Sequence, residues 1–224
     1  MRNSADQQMQ RIRDYLSQSL VPAFKRAGSG PVGLFSVSIG QGSPSVLVVI
    51  SFPDLASIDS MEEKLTTDKE FRKAAEAYNT APGLAYQRAE QSLLRAFDSA
   101  PNIEVPPTEG RTGNRVYELR MYESNNALTL SRKIKMFDSG EIGIFRRLNM
   151  APVFFGETIF GTNMPNLTYM LGYDSMAARE KAWTAFGQDP EWQKMRSQPG
   201  VSDAEVVSNI SNWIMSPLQG SDIR

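Results

Sequence analysis

Three side chains that could take part in chemistry alternate along one short stretch of the sequence. This stretch, Val116–Glu123, reads VYELRMYE and has the pattern of a β-strand. Because successive side chains of a strand point to opposite faces, Glu118, Arg120 and Tyr122 should share one face. A carboxylate beside a guanidinium and a phenol could hold a polar ligand or move a proton during catalysis.

The other face of this strand would carry Tyr117, Leu119 and Met121, and its apolar character favours contact with helices. We therefore expect Glu118 and Arg120 to point away from the helices, into a space between two sheets. A buried carboxylate and guanidinium must pair or stay hydrated, because an isolated buried charge is costly. The pair could be a structural salt bridge, a ligand site or a catalytic site.

Two more polar side chains fall on neighbouring predicted strands. Glu157 lies in the run 153–160 and Tyr169 in the run 167–173, so both could join the site. Glu157 shares its strand face with apolar residues, however, and could point elsewhere. The predicted ligand-binding residues are Glu118, Arg120, Tyr122, Glu157 and Tyr169.

The amino-acid composition narrows the chemistry further. The 224 residues include no His and no Cys. Their absence excludes Ser-His-Asp triads, thiol nucleophiles, disulfides, haem ligation by histidine and typical zinc sites. We therefore predict no metal site and no cofactor, and any acid-base work falls to Asp, Glu, Lys or Tyr.

The charge balance bears on partners. Twenty-four Lys and Arg against 25 Asp and Glu give a net charge of −1, which leaves no basic surplus for nucleic acid or anionic lipid. No apolar run approaches the roughly 20 residues that span a bilayer, and the first residues show no signal peptide. The sequence predicts a soluble chain without a transmembrane segment. It leaves the compartment open: cytoplasmic as written, with export possible if an upstream signal was lost.

The chain contains an internal repeat. An offset of 121 residues aligns 24–74 with 145–195 without a gap and gives ten identities in 51 pairs. The second half predicts the order strand, helix, strand, strand, helix, strand, which is the ferredoxin-like βαββαβ arrangement. The predicted fold is therefore α+β, with a first repeat over 1–105, a linker over 106–114 and a second repeat over 115–224.

The first half predicts the same order without its opening strand. A helical stripe over 9–27 comes first, followed by a hairpin and a second helix, and the last strand covers 84–97. The offset would place the opening strand at about −5 to 1. We expect from this that the chain starts late, through a misplaced start, processing or truncation.

Three other motifs have structural interpretations. The stretch GSGPVG, 28–33, spells G-x-G-x-x-G, but it follows a helix and enters a strand, so it indicates a helix stop. The carboxylates of 68–70 and 189–191 stand where helices begin, which predicts capping rather than acid-base catalysis. The aromatic residues Trp183, Phe186 and Trp192 are typical of core.

The stretches VYELRMYE, FRRLNMAPVFFGETIFG and LTYMLGYDSMAAREKAWTAFGQDPEWQKMR resemble the NIPSNAP family, closely over about 116–196 and more loosely in the first half. The resemblance implies units of the dimeric α/β-barrel class, in which the two repeats could pair within one chain. It implies little about chemistry, because bacterial members are mostly uncharacterised and mitochondrial relatives act through protein partners. Enzymes on this fold include haem proteins and cofactor-free oxygenases.

Two functions remain open from the sequence. The first is cofactor-free binding of a small ligand or a protein partner by a homo-oligomer, since unpaired strand edges recruit neighbours. The alternative is a cofactor-free oxygenase or isomerase, with Glu118 or Glu157 as base and Arg120 or Tyr169 stabilising negative charge. A carboxylate pKa raised toward neutrality in a ligand-sized cavity would favour the enzyme, whereas a collapsed and fully paired cavity would exclude it.

Overall fold

The structure, a computed structural model, describes residues 5–110 and 113–224. Its chain divides into two compact units. The first comprises the described residues up to Val37 together with Pro44–Glu90 and Pro217–Arg224, and the second comprises Ser38–Ser43 and Gln91–Ser216.

The first unit is a short hairpin with helices. Its elements are α1 (Ala5–Tyr15), a π-helical turn (Leu16–Leu20), α2 (Val21–Arg26), β1 (Gly33–Ile39), β2 (Ser45–Val49), α3 (Ala56–Thr67) and α4 (Lys69–Thr80). The strands β1 and β2 pair antiparallel from Gly33 opposite Val49 to Val37 opposite Ser45. Apolar residues of α2, β1 and α3, among them Phe24, form the core of this unit.

Local sequence signals set the helix ends in this unit. Gly28 follows α2 with φ of 90°, a left-handed backbone that glycine adopts without steric cost. The GSGPVG stretch is therefore a helix stop, as predicted. Asp68 caps α4, because its side chain accepts the backbone N–H of Phe71 at 2.9 Å.

The second unit contains the helices and strands of the second repeat together with one strand that precedes it. Its elements are β3 (Leu93–Ala96), β4 (Val116–Glu123), α5 (Ala127–Met136), a π-helical turn (Phe137–Glu141), α6 (Ile142–Arg147), β5 (Ala151–Phe160), β6 (Asn166–Tyr173), α7 (Met176–Gln188), α8 (Pro190–Arg196), α9 (Asp203–Val206) and β7 (Asn209–Pro217). The strands pair antiparallel in the order β7-β4-β6-β5-β3. Numbered within the repeat, β7-β4-β6-β5 is the order 4-1-3-2, so the predicted ferredoxin-like arrangement is present.

The compact units do not follow the predicted repeat boundaries, and strand pairing is the reason. Of the strand predicted over 84–97, the structure has only Leu93–Ala96 as β3, and it pairs with β5 of the second repeat. In the second repeat, the last strand is predicted over 204–214 but begins only at Asn209, because 204–206 are part of the short helix α9. In the first unit, the C-terminal residues run beside β1, where Leu218 N–H donates to the Leu34 carbonyl at 2.8 Å.

The structure shows the same helix irregularity at equivalent positions of the two repeats. Each repeat interrupts its first helix with a π-helical turn, Leu16–Leu20 in one and Phe137–Glu141 in the other, at positions exactly one offset apart. The opening strand expected near −5 to 1 lies outside the described residues. Residues 106–110 and 113–114 of the predicted linker contain no helix or strand, and 111–112 lie outside the described residues.

No helix in the described part of the chain is both long enough and apolar enough to cross a membrane.

Candidate functional site

Strand β4 carries the predicted polar face, and this face meets the helices. Glu118, Arg120 and Tyr122 alternate along β4, and Glu118 is fully buried. Its partners include Arg179 and Trp183, which lie four residues apart on one face of α7. The prediction that Glu118 and Arg120 point away from the helices is therefore wrong.

The apolar residues Tyr117, Leu119 and Met121 occupy the opposite face of β4. Alternation fixes which residues share a face, but it does not fix which face the helices cover. Here the helix supplies a guanidinium and an indole N–H, and these groups compensate the charge that would otherwise exclude Glu118 from the interface. Donors on α7 thus reverse the orientation that hydrophobicity predicts.

The Glu118 carboxylate accepts five hydrogen bonds. Arg179 binds it through two nitrogens, with Nε 2.9 Å from Oε2 and Nη2 2.5 Å from Oε1. Arg120 Nη1 donates to Oε1 at 2.8 Å. Trp183 Nε1 and the Tyr173 hydroxyl donate to Oε2 at 2.9 and 3.3 Å. Both carboxylate oxygens are thus fully occupied by groups of the same chain.

These contacts keep Glu118 charged. Burial would raise the pKa of its carboxyl, but hydrogen bonds from Arg179 and Trp183 and the charges of both arginines lower the pKa below its ordinary value. Tyr173 shows the opposite shift, because burial and the neighbouring Glu118 charge raise the pKa of its phenol. Glu118 is an acceptor of hydrogen bonds here and a poor acceptor of protons.

Arg120 connects Glu118 to a pair of tyrosines. Its Nη2 donates to the Tyr122 hydroxyl at 3.1 Å, and the Tyr169 hydroxyl donates to the same oxygen at 2.9 Å. The guanidinium also lies over the Trp183 ring, 4.3 Å from its centroid. Burial raises the pKa of Tyr169 well above its usual value, so this phenol is neutral.

Glu157 lies apart from this cluster. It stands opposite Arg95 of β3, and its carboxylate lies 3.8 Å from the Arg95 guanidinium. The side chain is 36% exposed, in contrast to the buried Glu118. The structure therefore brings together four of the five predicted site residues and leaves Glu157 on β5, beside the outer strand β3.

A second buried ionic cluster lies beside the first. Lys133 of α5 is fully buried, with its Nζ 3.1 Å from Glu141 and 3.3 Å from Asp203. The ammonium also lies 5.0 Å from the Trp192 ring centroid and 5.5 Å from that of Tyr122. Tyr122 therefore contacts both clusters and joins them into one buried network.

The two partners of this ion pair respond differently to burial. Burial would lower the pKa of Lys133, but the charges of Glu141 and Asp203 raise it above the ordinary value. Burial raises the pKa of Glu141 by more than Lys133 lowers it. The carboxylate of Glu141 is therefore the group that depends on its partner to remain charged.

Sequence reasoning missed Lys133 and Glu141, although the repeat contains a signal for them. One offset earlier, the first repeat has Ile12 and Leu20 at these positions. A charge that replaces an apolar residue of an equivalent helix is expected to be buried and paired. Comparing the repeats position by position would therefore have marked both residues.

The aromatic residues have the predicted core role in part. Phe186 and Trp192 are buried in the main cluster of the second unit, whereas Trp183 packs against that cluster and also donates to Glu118. Among residues 5–110 and 113–224, no group of three or more carboxylates is arranged to hold a metal ion.

An open cleft lies between the helices α5 and α8. Its volume is about 370 Å³. It is lined by Arg132, Lys135, Met136, Ser139, Glu191, Lys194, Met195, Gln198 and Val201. None of these residues was among the predicted site residues.

Comparison with known proteins identifies the family of this chain and structures with a similar fold. The NIPSNAP family model matches residues 4–101 and 117–222. A NIPSNAP family protein of unknown function from Agrobacterium tumefaciens is similar at 18% identity, over 51% of this chain and 97% of that one, with a TM-score of 0.45. The search of curated proteins found no match.

Two solved structures are similar over nearly the whole chain. A proposed monooxygenase from Fusobacterium nucleatum is 6% identical over 97% of this chain and 88% of that one, with a TM-score of 0.57. Another, from Lactobacillus acidophilus, is 10% identical over 98% and 91%, with a TM-score of 0.54. They confirm the predicted fold class, tandem ferredoxin-like repeats of the dimeric α/β-barrel type, and the family match over both repeats shows that the chain belongs to the NIPSNAP family.

Proposed function

We propose that this NIPSNAP protein binds a small ligand without a cofactor and carries out no chemistry with Glu118. One contrast supports the proposal: the Glu118 site is filled by five donors of its own chain, whereas the cleft of about 370 Å³ beside α5 and α8 is open. Small-molecule sites are typically cavities of about 300–1,000 Å³. The cleft has the size of a ligand site, and the Glu118 cluster has no room for one.

In this proposal the buried network supports the cleft. Lys133 projects from α5 toward the core and lies against Trp192 of α8, so one side chain contacts both helices that line the cleft. Tyr122 then links Lys133 to Arg120 and Glu118 on β4. A binding site is held more rigidly when a second layer of paired groups fixes the elements that form it.

The enzyme alternative is weaker on the same observations. A general base works best when its pKa lies near the working pH, and the pKa of Glu118 is lowered instead. Glu157 is ion-paired with Arg95 of the outer strand β3, away from Arg120 and Tyr169. The similarity to two proposed monooxygenases, at 6% and 10% identity, concerns the fold and supplies no residue for that reaction.

A binding screen tests this proposal. Wild type and Glu118→Gln would be screened against a metabolite library by thermal shift, and each hit would be recovered from the protein and analysed by mass spectrometry. We expect ligands to be recovered unchanged, and we expect Glu118→Gln to lower Tm while changing Kd by less than about twofold at temperatures where it is folded.

Two results would contradict the proposal. One is a ligand that is chemically converted at a rate that Glu118→Gln abolishes, which would support the enzyme. The other is a folded wild-type protein that binds no member of the library.

A further inference from the structure

The cleft is built from two helical edges with the same spacing. Arg132, Lys135, Met136 and Ser139 are arranged on α5 and its π-helical turn so that the first and the last each lie three and four residues from the two middle positions. Glu191, Lys194, Met195 and Gln198 are arranged in the same way on α8 and the residues after it. Side chains at these intervals lie along one face of a helix, so the two rows face each other across the cleft.

The inner part of the cleft is apolar. Met136 is buried, and Met195 and Val201 are partly buried against the main core. Methionine side chains are flexible and polarizable, so they adapt to apolar partners of different shapes. A short alkyl chain would find a suitable surface here.

The rim of the cleft is positive. Arg132, Lys135 and Lys194 are its cations, against the single carboxylate of Glu191. That carboxylate already accepts a hydrogen bond from Arg147 at 3.0 Å. Within the part of the chain that the structure describes, neither Lys135 nor Lys194 has a carboxylate within 4.0 Å. Two lysines are thus available to an anionic group of a ligand.

In the first repeat, two stacked aromatic rings fill the position equivalent to the cleft. One offset before Met136 stands Tyr15, and its ring stacks on Tyr78 with centroids 4.3 Å apart and planes at 12°. The residue equivalent to Lys135 is Asp14, which reverses the charge. The second repeat therefore differs from its own internal relative in the two properties that a site for an amphipathic anion requires, space and positive charge.

We propose that this cleft binds a small amphipathic carboxylate, with its alkyl chain on Met136, Met195 and Val201 and its carboxylate between Lys135 and Lys194. The inference rests on the proposed binding function and adds to it a location and a ligand class. The ammonium groups attract the head group, and the apolar floor distinguishes a carboxylate with a chain from one without.

Decanoate is a suitable probe, with acetate and decan-1-ol as controls for the head group and the chain. Isothermal titration calorimetry would be carried out on the full chain and on the double variant Lys135→Glu/Lys194→Glu. The matched control is Lys181→Glu, which reverses an exposed lysine on α7 away from the cleft. Circular dichroism and thermal unfolding would establish that each variant is folded.

We expect decanoate to bind at least about tenfold more tightly than acetate or decan-1-ol. The double variant should weaken decanoate binding by at least about tenfold, and Lys181→Glu should leave it unchanged. Binding of decanoate that is indifferent to the double reversal would overturn the location. If library ligands bind and decanoate does not, the ligand class is wrong and the binding function stands. Consumption of decanoate by the wild type would instead contradict the binding function itself.

Discussion

Arg147 Nη2 donates to the Asp189 carboxylate at 2.6 Å, and Arg26 makes the same ion pair with Asp68 at 2.7 Å one offset earlier. Each aspartate also caps a helix, since Asp189 accepts the backbone N–H of Trp192 at 3.2 Å. The interpretation of these carboxylates as caps is confirmed. Both repeats thus have an N-cap aspartate with an arginine counter-ion at equivalent positions.

We expect Asp189→Ala to lower the free energy of unfolding by about 1 kcal/mol, within a range of about 0.5–2, because it leaves the first backbone N–H groups of α8 without an acceptor. Arg147→Ala should cost less than Asp189→Ala, because this guanidinium is half exposed and exposed ion pairs contribute little. Chemical denaturation measures both, and Asp68→Ala provides the matched variant in the first repeat. A larger cost for Arg147→Ala than for Asp189→Ala would contradict the capping interpretation.

Periodicity and the repeat predicted most of the fold, because both depend on local patterns that each residue carries. The helices, the hairpins and the order of strands followed from them. The shortening of the predicted strand 84–97 to Leu93–Ala96 did not, since strand length depends on the partner β5. The local sequence pattern of a strand does not indicate which distant segment it will pair with.

The candidate site was predicted by residue but not by environment. Glu118, Arg120, Tyr122 and Tyr169 do form one cluster, as alternation on adjacent strands indicated. The predicted orientation of this face was wrong, because the actual one depends on Arg179, whose equivalent in the first repeat is Ile58. Only a comparison of the two repeats, and not the strand pattern, could have indicated a charge on this helix face.

The ion pair between Glu118 and Arg179 supports a second prediction. Arg179→Ala should lower the free energy of unfolding by about 3–5 kcal/mol, because it removes two of the five donors of a fully buried carboxylate. Arg179→Lys should lose less, since it keeps the charge but not the two-point geometry. Urea denaturation at neutral pH gives both values. Equal costs for the two variants would show that geometry, not charge, dominates.

The lowered pKa of Glu118 predicts how stability depends on acid. A carboxyl with a native pKa below its unfolded value of about 4.5 contributes stability that is fully present above that pH and is lost as the pH falls through the native pKa. The advantage of wild type over Glu118→Gln should therefore be constant near neutrality and shrink below about pH 4.5.

Unfolding free energies of the two proteins across this range test the prediction. Asp68 and Asp189, whose pKa values are also lowered, remain in both proteins and cancel in the difference. A difference that stays constant down to about pH 3 would contradict a lowered native pKa of Glu118, because the loss begins at the unfolded value however low the native value lies.

The edge of β2 supports a prediction about self-association. β2 pairs with β1, and no other strand in the described ranges pairs with it. Unpaired strand edges form hydrogen bonds with neighbouring chains, and a lysine on such an edge prevents this. We expect the wild type to sediment as a dimer or larger species and Leu47→Lys to shift it toward monomer. Val105→Lys, at an exposed residue outside the strands, is the control, and an equal shift in both variants would point to a general charge effect.

The buried pair of Lys133 and Glu141 gives a prediction in which pH changes the outcome. Lys133→Met should lower the free energy of unfolding at about pH 7.5 by about 3–5 kcal/mol, because Glu141 is left as a buried carboxylate without its cation. Its native pKa, already raised by burial, should rise further. Stability associated with a raised native pKa is present below the unfolded value and is lost as the pH rises, so the variant should be relatively more stable at about pH 5.

The double variant Lys133→Met/Glu141→Leu separates charge from packing. It removes both charges, so it should regain most of the lost stability and lose the pH dependence of the single variant. Lys135→Met, at an exposed position of the same helix, should change stability by no more than about 0.5 kcal/mol. Thermal and urea unfolding at the two pH values measure all three variants. If the double variant is no more stable than Lys133→Met, the cost arises from lost contacts of the lysine with Trp192 and Tyr122, not from the unpaired carboxylate.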